Sequence, residues 1–245
     1  MSNRRLMVDS KTLEYVLDTY SEYIDNLQIA KLKELLKKDK HHYGNLDVVD
    51  IVSSIMQLII DECGSDIVND ERLNLPFWGF YGYYTNVVFD YHVEITRDIA
   101  DSEFSQAKFN DGVTIYAKTL PQQAIASTDM QGLVDLPNVV ELHGFNFNFA
   151  NDTGDITIKL SKDLKIIDCY SFTTRYPNIE IEYPGTVQEF SDMVFENFTS
   201  WPDSHKRAFD EDLQEEASPR IKCLDGDWDY EVFVKDQRYK EWTKN

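Results

Sequence analysis

The stretch Phe145-Asn-Phe-Asn-Phe149, followed after a polar turn by Ile156-Thr-Ile-Lys-Leu160, decides the fold class that the sequence predicts. Large apolar residues at every second position alternate with asparagine, threonine and lysine, which is the period of a half-buried strand. The intervening Asn151-Asp-Thr-Gly-Asp155 has the composition of a tight turn. The two segments therefore predict a β-hairpin, and consecutive short strands joined by polar turns predict an antiparallel meander.

Further strands are predicted on both sides of this hairpin. The alternation of apolar and polar residues over Val87–Ile95 predicts one continuous strand. Shorter candidates lie at 112–118, 164–172 and 178–183. The aromatic run Phe77–Tyr84 also suits a strand and leaves two interpretations open. It forms part of the core, since large aromatic side chains are buried on average, or it is a binding platform that its two glycines let a partner approach closely.

Helices are predicted at both ends of the chain. Apolar residues recur at helical spacing over 9–39 and about 47–61. Thr186-Val-Gln-Glu189 is a capping box that opens a helix ending near residue 200. A short acidic helix over 203–216 follows it, and then a closing hairpin of 220–224 and 228–234.

The fold class that follows is α+β. It comprises N-terminal helices, a central antiparallel β-sheet (a meander), a capped helix and a C-terminal hairpin. Residues 1–65 are predicted to be a helical N-terminal subdomain and residues 66–245 an α+β body built on the antiparallel sheet. No internal repeat is evident in the sequence.

The charge of the chain is strongly negative. It has 44 Asp and Glu against 24 Lys and Arg, a formal net charge of −20. The first forty residues hold 7 acids and 8 bases, so the excess lies on the body of the protein. Such a surface repels nucleic acid and anionic membranes, and it favours partner proteins with basic surfaces. We therefore expect no direct contact with nucleic acid or membrane.

A metal site is the most specific chemical hypothesis that the sequence offers. Asp90, His92 and Glu94 fall on one face of the strand predicted at 87–95, and all three are possible metal ligands. The alternative interpretation is a solvated strand face opposite the apolar one.

An Asp225-x-Asp227-x-Asp229 pattern resembles the start of a calcium loop, but Tyr230 and Asp236 stand where that loop needs glycine and glutamate. No nucleophile elbow, phosphate loop or cofactor motif is present.

The function that these observations favour is a non-catalytic acidic binding protein. In its concrete form the protein inhibits a basic, nucleic-acid-binding enzyme by imitating phosphate charge in the enzyme's binding groove. The predicted binding residues are the acids of the last two elements, Asp210, Glu211, Asp212, Glu215, Glu216, Asp225, Asp227, Asp229 and Glu231. The alternatives are a metal-dependent hydrolase centred on Asp90, His92 and Glu94, and a structural or assembly protein.

A cytoplasmic location is expected from the cysteines and from the N-terminus. Cys63, Cys169 and Cys223 are few, odd in number and widely spaced, which is typical of reduced thiols and not of a disulfide framework. The first residues show no apolar core of a signal peptide.

Overall fold

The protein is a β-solenoid-like structure of mostly parallel strands with a few helices. The computed structural model describes residues 53–54, 56–61, 64–70, 84–149, 155–171, 179–214 and 220–244. Its strands are β1 (Val88–Phe89), β2 (Val93–Ile95), β3 (Lys108–Phe109), β4 (Val113–Ile115), β5 (Thr119–Leu120), β6 (Asp129–Met130), β7 (Gly132–Asp135), β8 (Glu141–Leu142), β9 (Ile156–Lys159), β10 (Ile166–Ile167), β11 (Ile179–Glu182), β12 (Ile221–Cys223) and β13 (Gly226–Trp228). Its helices are a 3-10 helix (Ser65–Asn69), α1 (Val187–Ser200), α2 (Asp203–Gln214), α3 (Tyr230–Lys235) and α4 (Gln237–Trp242), and residues 53–54 and 56–61 are also helical.

Three sheets form the sides of the solenoid. The largest has seven strands in the order β13-β12-β11-β9-β7-β4-β2, and two three-stranded sheets have the orders β1-β3-β6 and β10-β8-β5. Among the described residues, every strand pair is parallel except β12 with β13. Successive strands in one sheet are thus successive coils of the chain, the arrangement of a repeat protein.

The predicted antiparallel meander is therefore wrong, and so is the predicted hairpin. Strand β9 pairs in parallel with β7 and with β11, whereas residues 145–149 form a turn followed by irregular chain, with Phe147 and Phe149 buried. Alternation of apolar and polar residues is common to parallel and antiparallel strands, so it could not distinguish them. The α+β class is wrong for the same reason, since the described strands coil into a solenoid of parallel sheets and do not form an antiparallel sheet packed with helices.

The prediction that the chain contains no internal repeat is also wrong, because successive coils repeat the same conformation. Along the seven-stranded sheet the equivalent buried residues are Val93, Val113, Val134, Ile158 and Ile181. Ile221 and Trp228 continue this row, and the whole row is inaccessible to solvent. Three successive coils repeat two left-handed corners without glycine. One corner is at Asn86, Gln106 and Ser127, and the other is at Ser102, Gln123 and Phe145. The repeat is conformational, and the residue types at equivalent positions differ enough to hide it.

Side-chain amides close the edges of three strands. The Asn69 amide donates to Glu94 O (2.8 Å) and accepts from Thr96 N (2.7 Å), so it pairs with β2 as a neighbouring strand would. Gln57 pairs in the same way with the amide and carbonyl of Val88. At the other end of the solenoid, Asn197 of α1 accepts from Ile167 N and donates to Lys165 O. These amides satisfy strand-edge groups that a further coil would otherwise occupy.

The helical predictions are confirmed where the structure describes them. Glu189 N donates to Thr186 Oγ1 (3.1 Å) and Thr186 N donates to Glu189 Oε2 (2.7 Å), so the capping box opens α1. Strands β12 and β13 form the predicted closing hairpin, but residues 230–235 are helical because Asp229 caps α3. The helix predicted at 9–39 and most of the aromatic run 77–84 lie outside the described residues. The domain boundary at residue 65 stays a prediction.

Candidate binding surface

The predicted metal ligands do not share one strand. The chain bends at Tyr91, so Asp90 follows β1 while Glu94 lies in β2 of a different sheet. Both ring nitrogens of His92 have partners: Nδ1 lies 2.9 Å from Asp111 O, and Nε2 lies 2.8 Å from Thr114 Oγ1. Asp90 Oδ1 accepts from Asn110 Nδ2. Within the described ranges, no three His, Cys, Asp or Glu side chains are grouped so that they could hold a metal ion.

Two of the predicted binding acids stabilise the fold. Asp210 accepts hydrogen bonds from the Tyr239 hydroxyl and from Gln214 Nε2, and partial burial raises the pKa of its carboxyl. Asp229 accepts from Val232 N and so caps α3. Both carboxylates are therefore engaged by neighbouring elements and are poorly placed to meet a partner.

The other predicted acids differ in their exposure. Glu211, Asp225, Asp227 and Glu231 are exposed, although Glu231 pairs with Lys235 at 3.0 Å. Asp225 Oδ1 accepts from Val187 N at the start of α1. Asp212 lies in α2, while Glu215 and Glu216 lie outside the described residues. The exposed hairpin acids thus belong to the edge of the seven-stranded sheet, and the acids of α2 lie on a separate element.

The outward side of the seven-stranded sheet carries a row of charges. The strand register places one residue of each strand beside the next, in the order Glu94, Thr114, Asp135, Lys159, Glu182, Lys222 and Asp227. A second outward position adds Thr157 and Glu180. We call these nine residues the acidic face, because five carboxylates stand against two ammonium groups.

Electrostatic interactions within the acidic face leave part of its charge unpaired. The Lys222 ammonium group pairs with Glu180, and this hydrogen bond raises the pKa of Lys222. The carboxylates of Glu182 and Asp227 raise it further. Asp135 and Glu182 make no salt bridge or side-chain hydrogen bond with the described part of the chain. Their carboxylates are therefore available to an approaching cationic group.

A groove of about 530 Å³ runs across one end of the acidic face. It is lined by Asp135, Lys159, Leu160, Glu182, Tyr183, Pro184, Lys222, Cys223 and Leu224. Burial raises the pKa of the Cys223 thiol to about 11, and the nearby charges of Asp225 and Asp227 act in the same direction. The thiol is therefore protonated at neutral pH and is a poor nucleophile. The groove offers shape and charge for binding.

Sequence reasoning found only part of this surface. Asp227 was among the predicted binding residues, and Glu94 among the predicted metal ligands, but Asp135, Glu180 and Glu182 were missed. They are scattered over the sequence, and only the parallel register brings them side by side. The signal available in the sequence was a charged residue between two aliphatic ones, as in Ile179-Glu-Ile181. The structure shows that the two aliphatic residues are buried.

The aromatic run reaches the described structure at one residue. Tyr84 is 1% exposed and stacks on Phe104 with ring centroids 4.5 Å apart. Its burial raises the pKa of its hydroxyl. The end of the run is therefore core, and the platform interpretation of Phe77–Tyr83 stays a prediction outside the described residues.

Comparison of the chain with protein-family models, with curated proteins and with solved structures finds no match. The described helices include none that is long and apolar enough to cross a membrane.

Proposed function

We propose that this protein is a non-catalytic binding protein whose acidic face engages a basic surface of a partner protein. The observation that carries the proposal is the outward row of the seven-stranded sheet, where five carboxylates stand against two lysines. Extended faces of this kind are the surfaces that repeat proteins commonly use for binding. The net charge of −20 supports the same function, because it steers a basic partner toward the protein.

The finer proposal is that the partner is a nucleic-acid-binding enzyme and that the protein inhibits it by occupying its binding groove. Neighbouring strands lie about 4.8 Å apart, so Asp135, Glu182 and Asp227, which follow one another two strands apart, sit at intervals of about 10 Å. A basic groove that accepts a row of phosphates would accept such a row of carboxylates on a rigid support. The cytoplasmic location is part of this proposal, and the free thiol of Cys223 agrees with it.

The experiment is affinity capture from the native host lysate with the intact protein as bait. The test variant combines Glu182→Gln with Asp227→Asn, which removes two charges from the acidic face and keeps the side-chain shapes. The control variant combines Asp98→Asn with Asp101→Asn, two exposed acids outside the face. Each variant changes the net charge from −20 by the same two units, so only the position of the lost charge differs.

The proposal expects a basic protein that is retained by the wild type and by the control at about 50 mM salt, where charges are weakly screened. A wash at about 500 mM salt releases it, and the face variant retains markedly less. Equal retention by the face variant and the control would refute the role of the acidic face. A captured partner that binds no nucleic acid would refute the finer proposal alone.

The two other functions considered are a metal-dependent hydrolase and an assembly protein. Neither is favoured by a specific observation in the described part of the chain, and both stay predictions. Metal content of the purified protein tests the first, and sedimentation tests the second.

A further inference from the structure

The groove on the acidic face combines an apolar wall with free carboxylates. Leu160, Tyr183, Pro184, Cys223 and Leu224 supply the apolar part. Asp135 and Glu182 lie in register along the same groove, one strand on either side of Lys159. Its volume of about 530 Å³ is within the range of sites that hold a small ligand or a few side chains.

The exposure of Leu224, at the edge of this groove, is not explained by packing within the protein. Leu224 is 74% exposed, more than Tyr91 (43%), Tyr116 (36%) or Ile166 (44%), the other large apolar side chains exposed in the described ranges. Leu224 lies in the turn between β12 and β13. Its backbone is fixed there, because Leu224 N donates a hydrogen bond to Gly185 O at 2.8 Å. A leucine fixed on a rigid turn beside an apolar groove is well placed to contact a partner, since its exposure gives the isolated protein no packing energy.

The charges around Leu224 indicate the polarity of that partner. Lys222 is paired with Glu180, which leaves Lys159 as the remaining positive charge in the groove. Asp135 and Glu182 in the groove and the exposed Asp225 and Asp227 next to it oppose that single charge. The surroundings of the apolar wall are therefore negative, and they favour cationic side chains on either side of an apolar one.

We propose that the groove binds a short segment of the partner protein in which an apolar side chain is flanked by lysine or arginine. The apolar side chain packs on Leu224 and the walls beside it, while the flanking cations reach Asp135 and Glu182. This inference rests on the proposed function and adds the site of recognition and the chemistry of the recognised segment. Leu224 is expected to act as a hot spot, because an apolar anchor inside a polar rim is the usual anatomy of an interface.

The test uses a displayed library of random peptides as the probe and the intact protein as the target. Peptides selected on the wild type are measured against Leu224→Ser and against Ile166→Ser. Ile166 is the matched control because it is also an exposed aliphatic residue, but lies on the β10-β8-β5 sheet. A third variant combines Asp135→Asn with Glu182→Gln. Melting temperatures of all variants show that the fold is retained.

The inference expects enriched peptides with an apolar residue between basic ones. Their affinity should fall about ten-fold or more with Leu224→Ser, fall with the double amide variant, and stay unchanged with Ile166→Ser. Enriched peptides that are insensitive to Leu224→Ser, or no enrichment at all, would overturn it. The two proposals can be distinguished from each other. If binding of a captured basic partner depends on Glu182 and Asp227 but not on Leu224, the proposed function stands and the groove is not the site of recognition.

Discussion

Replacement of Asn69 by alanine should weaken the start of the solenoid by a measurable amount. The amide of Asn69 makes two short hydrogen bonds with the backbone of β2, to Glu94 O (2.8 Å) and from Thr96 N (2.7 Å). A typical hydrogen bond contributes about 1 kcal/mol net to stability. Because this edge is exposed, water replaces part of what is lost, and we expect the free energy of unfolding to fall by about 1–2 kcal/mol.

The assay is urea denaturation of the wild type, Asn69→Ala and Asn138→Ala. Asn138 is the control because its exposed amide makes one long hydrogen bond to Tyr116 O, at 3.4 Å, and its loss should cost less than about 0.5 kcal/mol. Asn69→Asp keeps the acceptor for Thr96 N but cannot donate to Glu94 O, so it should be destabilised as well. Hydrogen exchange at the Thr96 amide should accelerate in Asn69→Ala. Equal stability of the Asn69→Ala and Asn138→Ala variants would refute the view that the amide replaces a missing strand.

Three further predictions concern the interior and the capped helix. Asn146→Ala should lower the free energy of unfolding, measured by thermal denaturation, by about 2–4 kcal/mol. The reason is that the fully buried amide forms hydrogen bonds with Ile125 N, Pro121 O and His143 O. A loss below about 1 kcal/mol would contradict this prediction. Gly112→Ala should abolish soluble protein or lower the melting temperature sharply, since its added Cβ would lie 2.1 Å from Leu133 O at a φ of +80°. Gly64→Ala, with a φ of +81° but open space around it, should cost much less, and equal effects would show that the close contact is unimportant. Hydrogen bonds from Thr186 lower the pKa of the Glu189 carboxyl from its ordinary 4.5. The ionised carboxylate therefore stabilises the fold fully above pH 4.5, and this stabilisation is lost as the pH falls through the lowered pKa. Urea denaturation over this acidic range should therefore show a shallower loss of stability in Glu189→Gln than in the wild type, and identical slopes would contradict the assignment.

Local features of this fold could be predicted from the sequence where one short motif determines them. Thr186 and Glu189 specify a helix start through two reciprocal hydrogen bonds, and both are present. The strands at 113–115 and 179–182 lie within two of the predicted segments. The helix start depends on neighbours within a few residues, and the strands show a local preponderance of apolar β-branched residues, so pattern alone located these elements although not their pairing.

The solenoid could not be predicted because its defining contacts join residues about twenty positions apart. Val93 meets Val113, and Ile158 meets Ile181, but any apolar β-branched residue fits these inward positions. Two of the repeated corners also carry no glycine signal, since Asn86, Gln106 and Ser127 and their counterparts Ser102, Gln123 and Phe145 adopt the left-handed conformation themselves. The conformational repeat therefore leaves only a weak repeat in the sequence.

The candidate site was only partly predictable for a related reason. The alternation Asp90-Tyr-His-Val-Glu94 was interpreted as one strand, but the chain turns between β1 and β2 and separates Asp90 from Glu94. Conversely, Asp135, Glu182 and Asp227 are far apart in the sequence and lie two strands apart in one sheet. The excess of acid was visible from composition, but its arrangement depends on the strand register.

The central claim is that the acidic face binds a basic partner, and the association rate of that partner tests it most directly. The rate constant of the captured partner should fall about ten-fold or more between about 50 and 500 mM salt, because electrostatic steering is screened by ions. The variant Glu182→Gln with Asp227→Asn should start from a slower rate and show a weaker salt dependence, whereas Asp98→Asn with Asp101→Asn should behave more like the wild type. A rate constant that is independent of salt, or identical in the two variants, would contradict the account.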